Sequence, residues 1–169
     1  ATMMSLGLSP ETMIMSLRGE YEDYVKVMSR SMDTITVDIL NRGEVSETVE
    51  IVASELESTI RENGYTISAV GIVFTGEFGL LSKFAHFTTT KRKEYRSQIP
   101  TAATPEEAQR LNLYQNVFKT ISNSLYGCSG EPSFRLYDLR LSRSITMTAR
   151  VISKFQAWKA NDLVNRVKV

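Results

Sequence analysis

The chain has 169 residues, with 20 Lys+Arg against 19 Asp+Glu and a net charge of +1. That length suits one domain or a piece of a larger protein, and bulk charge gives no signal of nucleic-acid binding. A single cysteine, Cys128, excludes an internal disulfide framework and a Cys-based zinc site. No apolar run approaches the roughly 20 residues needed to span a bilayer. No basic-then-apolar leader opens the sequence, so a reducing cytoplasm (of a host cell, if the chain is viral) is expected, with no membrane partner. The start at Ala1 rather than Met suggests a processed, split or trimmed chain.

In chain order, Ser9-Pro10-Glu11-Thr12 offers an N-cap serine and a proline at the first helical position, predicting a helix over 10–32. Its periodicity is mediocre. The β-branched stretch 34–40 predicts a short strand. Ser46 then predicts a capped helix carrying Val49, Val52, Ala53, Leu56 and Ile60 on one face, stopped by Asn63-Gly64. Residues 65–74 read as one strand or a tight pair, closed by Gly76.

Two helices follow, over about 78–97 and from Thr104 to about Ser124, joined by the Pro100-bearing turn. The second opens with Thr104-Pro105-Glu106-Glu107, a capping box with proline at N1. So short a connection makes them antiparallel neighbours. A last helix over 137–165 is expected to carry Leu139, Ile145, Met147, Val151, Ile152 and Phe155 into a core. The fold class is therefore mainly α with a small β element, without internal repeats.

The chemistry concentrates on the helical pair. Arg92 and Arg96 stand at i, i+4 on the first helix, about 6 Å apart along its axis. Lys119, Asn123 and Tyr126 stand at i, i+4 and i+7 on the second, while Phe118 and Ile121 lie off that stripe. If both polar faces turn to one side, three cations and a forked amide converge. Such a set suits a triphosphate, whose charge spreads over many oxygens. Basic residues so spaced are more often a solvated surface. Their pairing across a short hairpin ending in Asn123-Ser124-Leu125-Tyr126-Gly127 is what favours a site.

Lys119 followed by Asn123-Ser-Leu-Tyr126-Gly127 resembles the fingers motif of family B DNA polymerases, of the T4-like phage type. Arg92-Lys-Glu-Tyr-Arg96 resembles the other fingers helix. Phe134-Arg-Leu-Tyr-Asp-Leu-Arg140 leading to Ser144-Ile-Thr-Met-Thr148 is similar to a palm segment, and Leu8-Ser9-Pro10-Glu11-Thr12 to the stretch after the first palm carboxylate motif. The resemblance implies a fingers hairpin over 78–124, a palm-proximal segment with the β element over 1–77, and a palm segment over 125–169. It also implies that Arg92, Arg96, Lys119 and Asn123 bind the incoming dNTP. Tyr126 would pack at the minor-groove side of the nascent base pair, and Gly127 would admit close backbone approach.

Two-metal nucleotidyl transfer needs carboxylates holding paired Mg²⁺. The family's two aspartate motifs are not in this sequence, and Asp138 and Asp162 are too isolated to replace them. The resemblance therefore implies no catalytic or metal-binding residue here. The Mg²⁺ ions, exonuclease, remaining palm and thumb would come from other chains of a split DNA-directed DNA polymerase, with primer–template DNA as a further partner. Whether a sliding clamp joins stays open. The competing reading is a non-catalytic helical module that grips nucleic-acid backbone. His86 and Cys128 are expected to be packing or surface residues. The methionines, five of them before residue 29, fit an adaptable core or an interface with a partner polypeptide.

Overall fold

The computed structural model describes residues 7–18 and 33–167. A five-stranded sheet has β1 Met13–Leu17 at its centre, flanked by β2 Thr34–Asn41 and β3 Glu44–Val52 on one side. On the other lie β5 Ile72–Phe74 and β4 Thr66–Ile67, giving the order β3-β2-β1-β5-β4. All four pairings are antiparallel.

The expected helix over 10–32 is corrected here. Among the described residues of that span only Pro10–Thr12 is helical, as one 3₁₀ turn, after which the chain enters the sheet. Met13–Leu17 has a strand on each side to satisfy its backbone, and this tertiary pairing overrides a weak local helix preference. The remainder of that expected helix, 19–32, and residues 1–6 lie outside the described residues.

The helix expected from Ser46 is also corrected. Glu44–Val52 is a strand, and the helix, α1 Ala53–Glu62, begins only after Val52. Arg42 (φ 50°) and Gly43 (φ 85°) form a two-residue loop between Asn41 and Glu44. Two positive φ values are what a type I′ hairpin turn demands. That turn fixes a register in which Val37 faces Val49 and Ile35 faces Ile51, so the valines that suggested a helix stripe pack across strands instead. Ser46 does not cap a helix; its hydroxyl donates to the Ile39 carbonyl, 3.1 Å away. The strand over 34–40 and the tight pair within 65–74 form as expected.

Each sheet face has its own core. On one, Ile35, Val37 and Leu56 of α1 gather with Met15, Leu17 and Ile60 around them. On the other, Leu8, Met13, Leu40 and Phe74 meet Leu81, Leu125 and Leu141, one from each of three long helices. These are α2 Leu80–Gln98, α3 Pro105–Ser129 and α4 Leu139–Val167. Each such side chain contributes about 1.5–3 kcal/mol when fully buried, so the second cluster roots the helices in the sheet.

Local signals set the helix ends. The Thr104 hydroxyl accepts from Glu107 N–H (3.2 Å), and Glu107 accepts from Ala103 N–H (2.9 Å). These two bonds satisfy donors that a helix start leaves orphaned. Asp138 accepts from Arg140 N–H at the start of α4 and pairs with the Arg140 guanidinium, which also donates to the Gly43 carbonyl (2.6 Å). Asp138 is thus structural, tying α4 to the β2–β3 turn. α3 continues to Ser129, past the expected end near Ser124, so Tyr126-Gly127 lies inside a helix and not at a turn.

The expected core face of α4 needs correction too. Leu141, Ser144 and Thr148 are buried, with Ile145 packed against the core, but Leu139, Val151, Ile152 and Phe155 are exposed. Every described residue from Arg150 to Asn161 is solvent-exposed, because no other described element covers this stretch of the helix. Phe155 leans on Trp158 there, at 5.9 Å between ring centroids.

Glu11 holds the N-terminus of α2 from outside the helix: its carboxylate accepts from Leu80 N–H and from the Ser9 hydroxyl (2.6 Å), while Ser9 Oγ accepts from Leu81 N–H (3.2 Å). Burial raises the Glu11 pKa, but bonds from Ser9, the Leu80 N–H and its own backbone, with the Lys83 charge, outweigh it and leave the pKa lowered. The unfolded chain therefore binds this proton more readily than the folded one. The contribution is present above the ordinary value of 4.5 and lost as pH falls through the depressed folded value. Acid titration of the urea midpoint is expected to show this loss in the wild-type chain and a flatter profile in Glu11→Gln.

Candidate nucleotide-binding face of the helical hairpin

α2 and α3 pack antiparallel along a seam that repeats every three and four residues. From α2 it uses Leu81, Ala85, Thr88, Arg92 and Tyr95; from α3, Leu111, Gln115, Phe118, Ser122 and Leu125. Thr88 and Ser122 share a hydrogen bond of 2.9 Å between hydroxyls. Tyr95 contacts Tyr114 and stacks on Phe118 with ring centroids 5.3 and 5.7 Å apart. Thr88 opposite Ser122 and Tyr95 opposite Tyr114 fix the relative height of the helices.

This seam determines where the expected site residues lie. Arg96 follows Tyr95, Lys119 follows Phe118, Asn123 follows Ser122 and Tyr126 follows Leu125, each by one position. One residue turns an α-helix by about 100°. In two antiparallel right-handed helices, that step away from the seam leads to the same side of the pair. Arg96, Lys119, Asn123 and Tyr126 are therefore on one side, all exposed, with Lys93 beside them. Arg96 and Lys119 are offset by about 8 Å along the paired axes, from the register and the 1.5 Å rise per residue. The opposite side has a different character: Leu80, Phe84, Phe87 and Val117 are exposed there.

Arg92 differs from its neighbours. It stands in the seam, half-buried, with its Nε enclosed and without a hydrogen-bond partner. A burial of this kind holds the stem of the side chain and leaves freedom only at the guanidinium tip. Gly127 lies within α3, and a side chain there would meet open space, so bare backbone borders Tyr126.

Tyr126 is 42% exposed, yet its hydroxyl is not free: it lies 2.6 Å from Thr146 Oγ1 on α4. Thr146 is placed by the sequence only within the palm-like segment 144–148, with no role of its own. Its signal is a contact between two helices 20 residues apart, which no local spacing carries. α4 is in turn fixed to the sheet by two other hydroxyls. Ser144 donates to Ser68 (3.0 Å), both fully buried, and Thr148 accepts from Ala69 N–H (2.9 Å).

Among the described residues no group of three His, Cys, Asp or Glu side chains is placed to hold a metal ion. Several carboxylates are engaged elsewhere, Asp38 with Arg18 (2.9 Å), Asp138 with Arg140 (2.7 Å) and Asp162 with Arg166 (3.1 Å). His86 is exposed and edge-on to Phe78, and Cys128 is a free, half-buried thiol. No helix among the described residues is long and apolar enough to cross a membrane.

With this geometry in place, comparison with known proteins is specific. Residues 74–165 match the sequence pattern of DNA polymerase family B. The chain belongs to that family. The DNA-directed DNA polymerase of Enterobacteria phage T4 is 31% identical over 96 residues, which is 57% of this chain and 10% of that protein. The DNA polymerase catalytic subunit of Equine herpesvirus 1 (strain Ab4p) is 42% identical over 59 residues, 35% of this chain and 5% of the relative. The chain thus spans a tenth or less of the length of these curated relatives. In fold it is similar to the family B DNA polymerase of the hyperthermophilic archaeon Pyrobaculum calidifontis. The TM-score is 0.61 at 20% identity, covering 96% of this chain and 16% of that structure.

Proposed function

We propose that this chain is the nucleotide-binding part of a DNA-directed DNA polymerase. In this reading the α2–α3 hairpin is the fingers, over 78–124, and the segments 1–77 and 125–169 belong to the palm. Arg96, Lys119 and Asn123, with the tip of Arg92, hold the triphosphate of the incoming dNTP. Tyr126 meets the nascent base pair, and the bare backbone at Gly127 allows close approach.

The observation that carries the reading is the one-sided placement of Arg96, Lys119, Asn123 and Tyr126 on a hairpin that matches the family. Phosphoryl transfer depends on positioning and charge neutralisation, and a rigid cationic face supplies both. Among the described residues no cluster of His, Cys, Asp or Glu side chains is placed to hold the paired Mg²⁺ ions the reaction uses. Carboxylates elsewhere in the polymerase, on other chains of a split enzyme, hold the metals. Those chains also bring the exonuclease, thumb and remaining palm.

Primer extension tests this directly. The purified chain, given primer–template, all four dNTPs and Mg²⁺ or Mn²⁺, is expected to add no nucleotide. Addition of the polypeptides carrying the aspartate motifs restores synthesis. Extension by the chain alone overturns the split reading.

A further inference from the structure

The two hairpin helices begin in different ways. α3 is capped locally, by Thr104 and Glu107. At the start of α2 stands Gly79, which offers no side chain to the first turn. The bonds come instead from residues 69 to 74 positions earlier. Glu11 accepts from Leu80 N–H, Ser9 Oγ accepts from Leu81 N–H (3.2 Å), and the Leu8 carbonyl accepts from the Ser82 hydroxyl (3.3 Å). Three consecutive residues of α2 are thus each tied to the segment 8–11. Glycine at 79 is what lets that segment so close, because a Cβ there would meet Ser9 Cβ and lie 2.8 Å from Glu11 Oε1.

From this we infer that Glu11, together with Ser9, is a positioning residue for the nucleotide-binding side chains, aiming α2 relative to the sheet. The inference rests on the polymerase reading above. A local cap fixes only where a helix starts, whereas a cap supplied by a distant segment also fixes where it points. Arg92 and Arg96 lie 12 and 16 residues beyond Leu80, about 18 and 24 Å along the helix. An angular error of about 2.5° at the base therefore displaces Arg96 by about 1 Å, a misplacement that can cost about a hundred-fold in rate. Lys119 and Asn123 share the error, since α3 is packed on α2 through Thr88–Ser122 and Tyr95–Phe118.

The segment that does the holding is itself fixed. Leu8 and Ser9 are fully buried. The Thr12 hydroxyl lies 2.9 Å from the carbonyl oxygens of both Gly7 and Ser9, and the Thr12 carbonyl accepts from Thr75 N–H (2.9 Å). From Thr12 the chain runs directly into β1, the central strand, so α2 is referred to the middle of the sheet.

Glu11 is exposed, so its truncation opens no cavity and the variants fold. In the assembled polymerase, Glu11→Ala is expected to raise the KM for the incoming dNTP about ten-fold, inside the roughly hundred-fold range of a 1 Å misplacement. Affinity for primer–template changes little. Glu11→Gln keeps a carbonyl that accepts from Leu80 N–H and retains a KM near wild type. Ile60→Ala, which loosens the core on the other face of the sheet, lowers the urea midpoint and leaves KM unchanged. Nitroxide labels at Gln98 and Glu47, in a Cys128→Ser background, report the angle of α2 to the sheet in the same assembly. Their distance distribution is expected to be narrow with Glu11 or E11Q and broad with E11A. An unchanged KM in E11A, an equal rise in Ile60→Ala, or a distribution that E11A does not broaden overturns the inference. If Lys119→Ala leaves nucleotide dependence unchanged, the polymerase reading itself fails. If it raises KM as expected while E11A is silent, only the role of Glu11 fails.

Discussion

Lys119→Ala in the assembled polymerase is expected to raise the apparent KM for the incoming nucleotide roughly ten- to a hundred-fold. A hydrogen bond to a charged group contributes about 1.5–3 kcal/mol, and each 1.4 kcal/mol is about a factor of ten in affinity. Lys119 is exposed and follows the seam residue Phe118, so its removal opens no cavity in the hairpin. Affinity for primer–template is expected to change little. Steady-state kinetics with dNTP varied at saturating DNA, beside a DNA-binding titration, separates the two. An unchanged KM with weaker and steeply salt-dependent DNA binding would instead mark a basic hairpin that grips backbone without selecting nucleotides.

Phe74→Ala is expected to destabilise the chain by about 3–5 kcal/mol, the range for a fully buried phenylalanine truncated in a packed core. Phe74 has no exposed surface and shares its cluster with Leu81, Leu125 and Leu141, so the cavity would open where all three long helices meet the sheet. Urea denaturation should show a lower midpoint with little change in slope. Phe155→Ala provides the contrast. That ring is 59% exposed on the outer half of α4, and its loss should stay within about 0.5 kcal/mol.

Sequence made the hairpin legible because its signals are local. Thr104-Pro105 and Glu107 mark a start, Pro100 marks the turn, and each acts within a few residues of itself. The β2–β3 pair was harder to read. Over 44–62 the apolar residues satisfy a two-residue period early and a helical period later, and Val49 serves either one. The Arg42-Gly43 loop distinguishes them, since a two-residue turn with Gly second commits the following segment to pair back. β1 has no such marker, and its strand exists because two neighbours accept it.

The site divides in the same way. The stripe Lys119, Asn123, Tyr126 follows from helical spacing, and so does the pairing of Arg92 with Arg96. That Arg92 enters the seam depends on which α3 residues oppose it, which spacing does not encode. Its enclosed Nε is a tertiary fact, like the Thr146 contact.

The continuity of α3 has a mechanical consequence. A single 25-residue helix carries Lys119, Asn123 and Tyr126 without a break and ends at Ser129, beside α4. No joint separates the residues proposed for the phosphates from the one proposed for the base pair. α3 therefore places the two proposed working points on one continuous helix. Under the proposed function, a tilt that draws Lys119 toward a triphosphate would also swing or press Tyr126, coupling the fit of the base pair to the phosphate end.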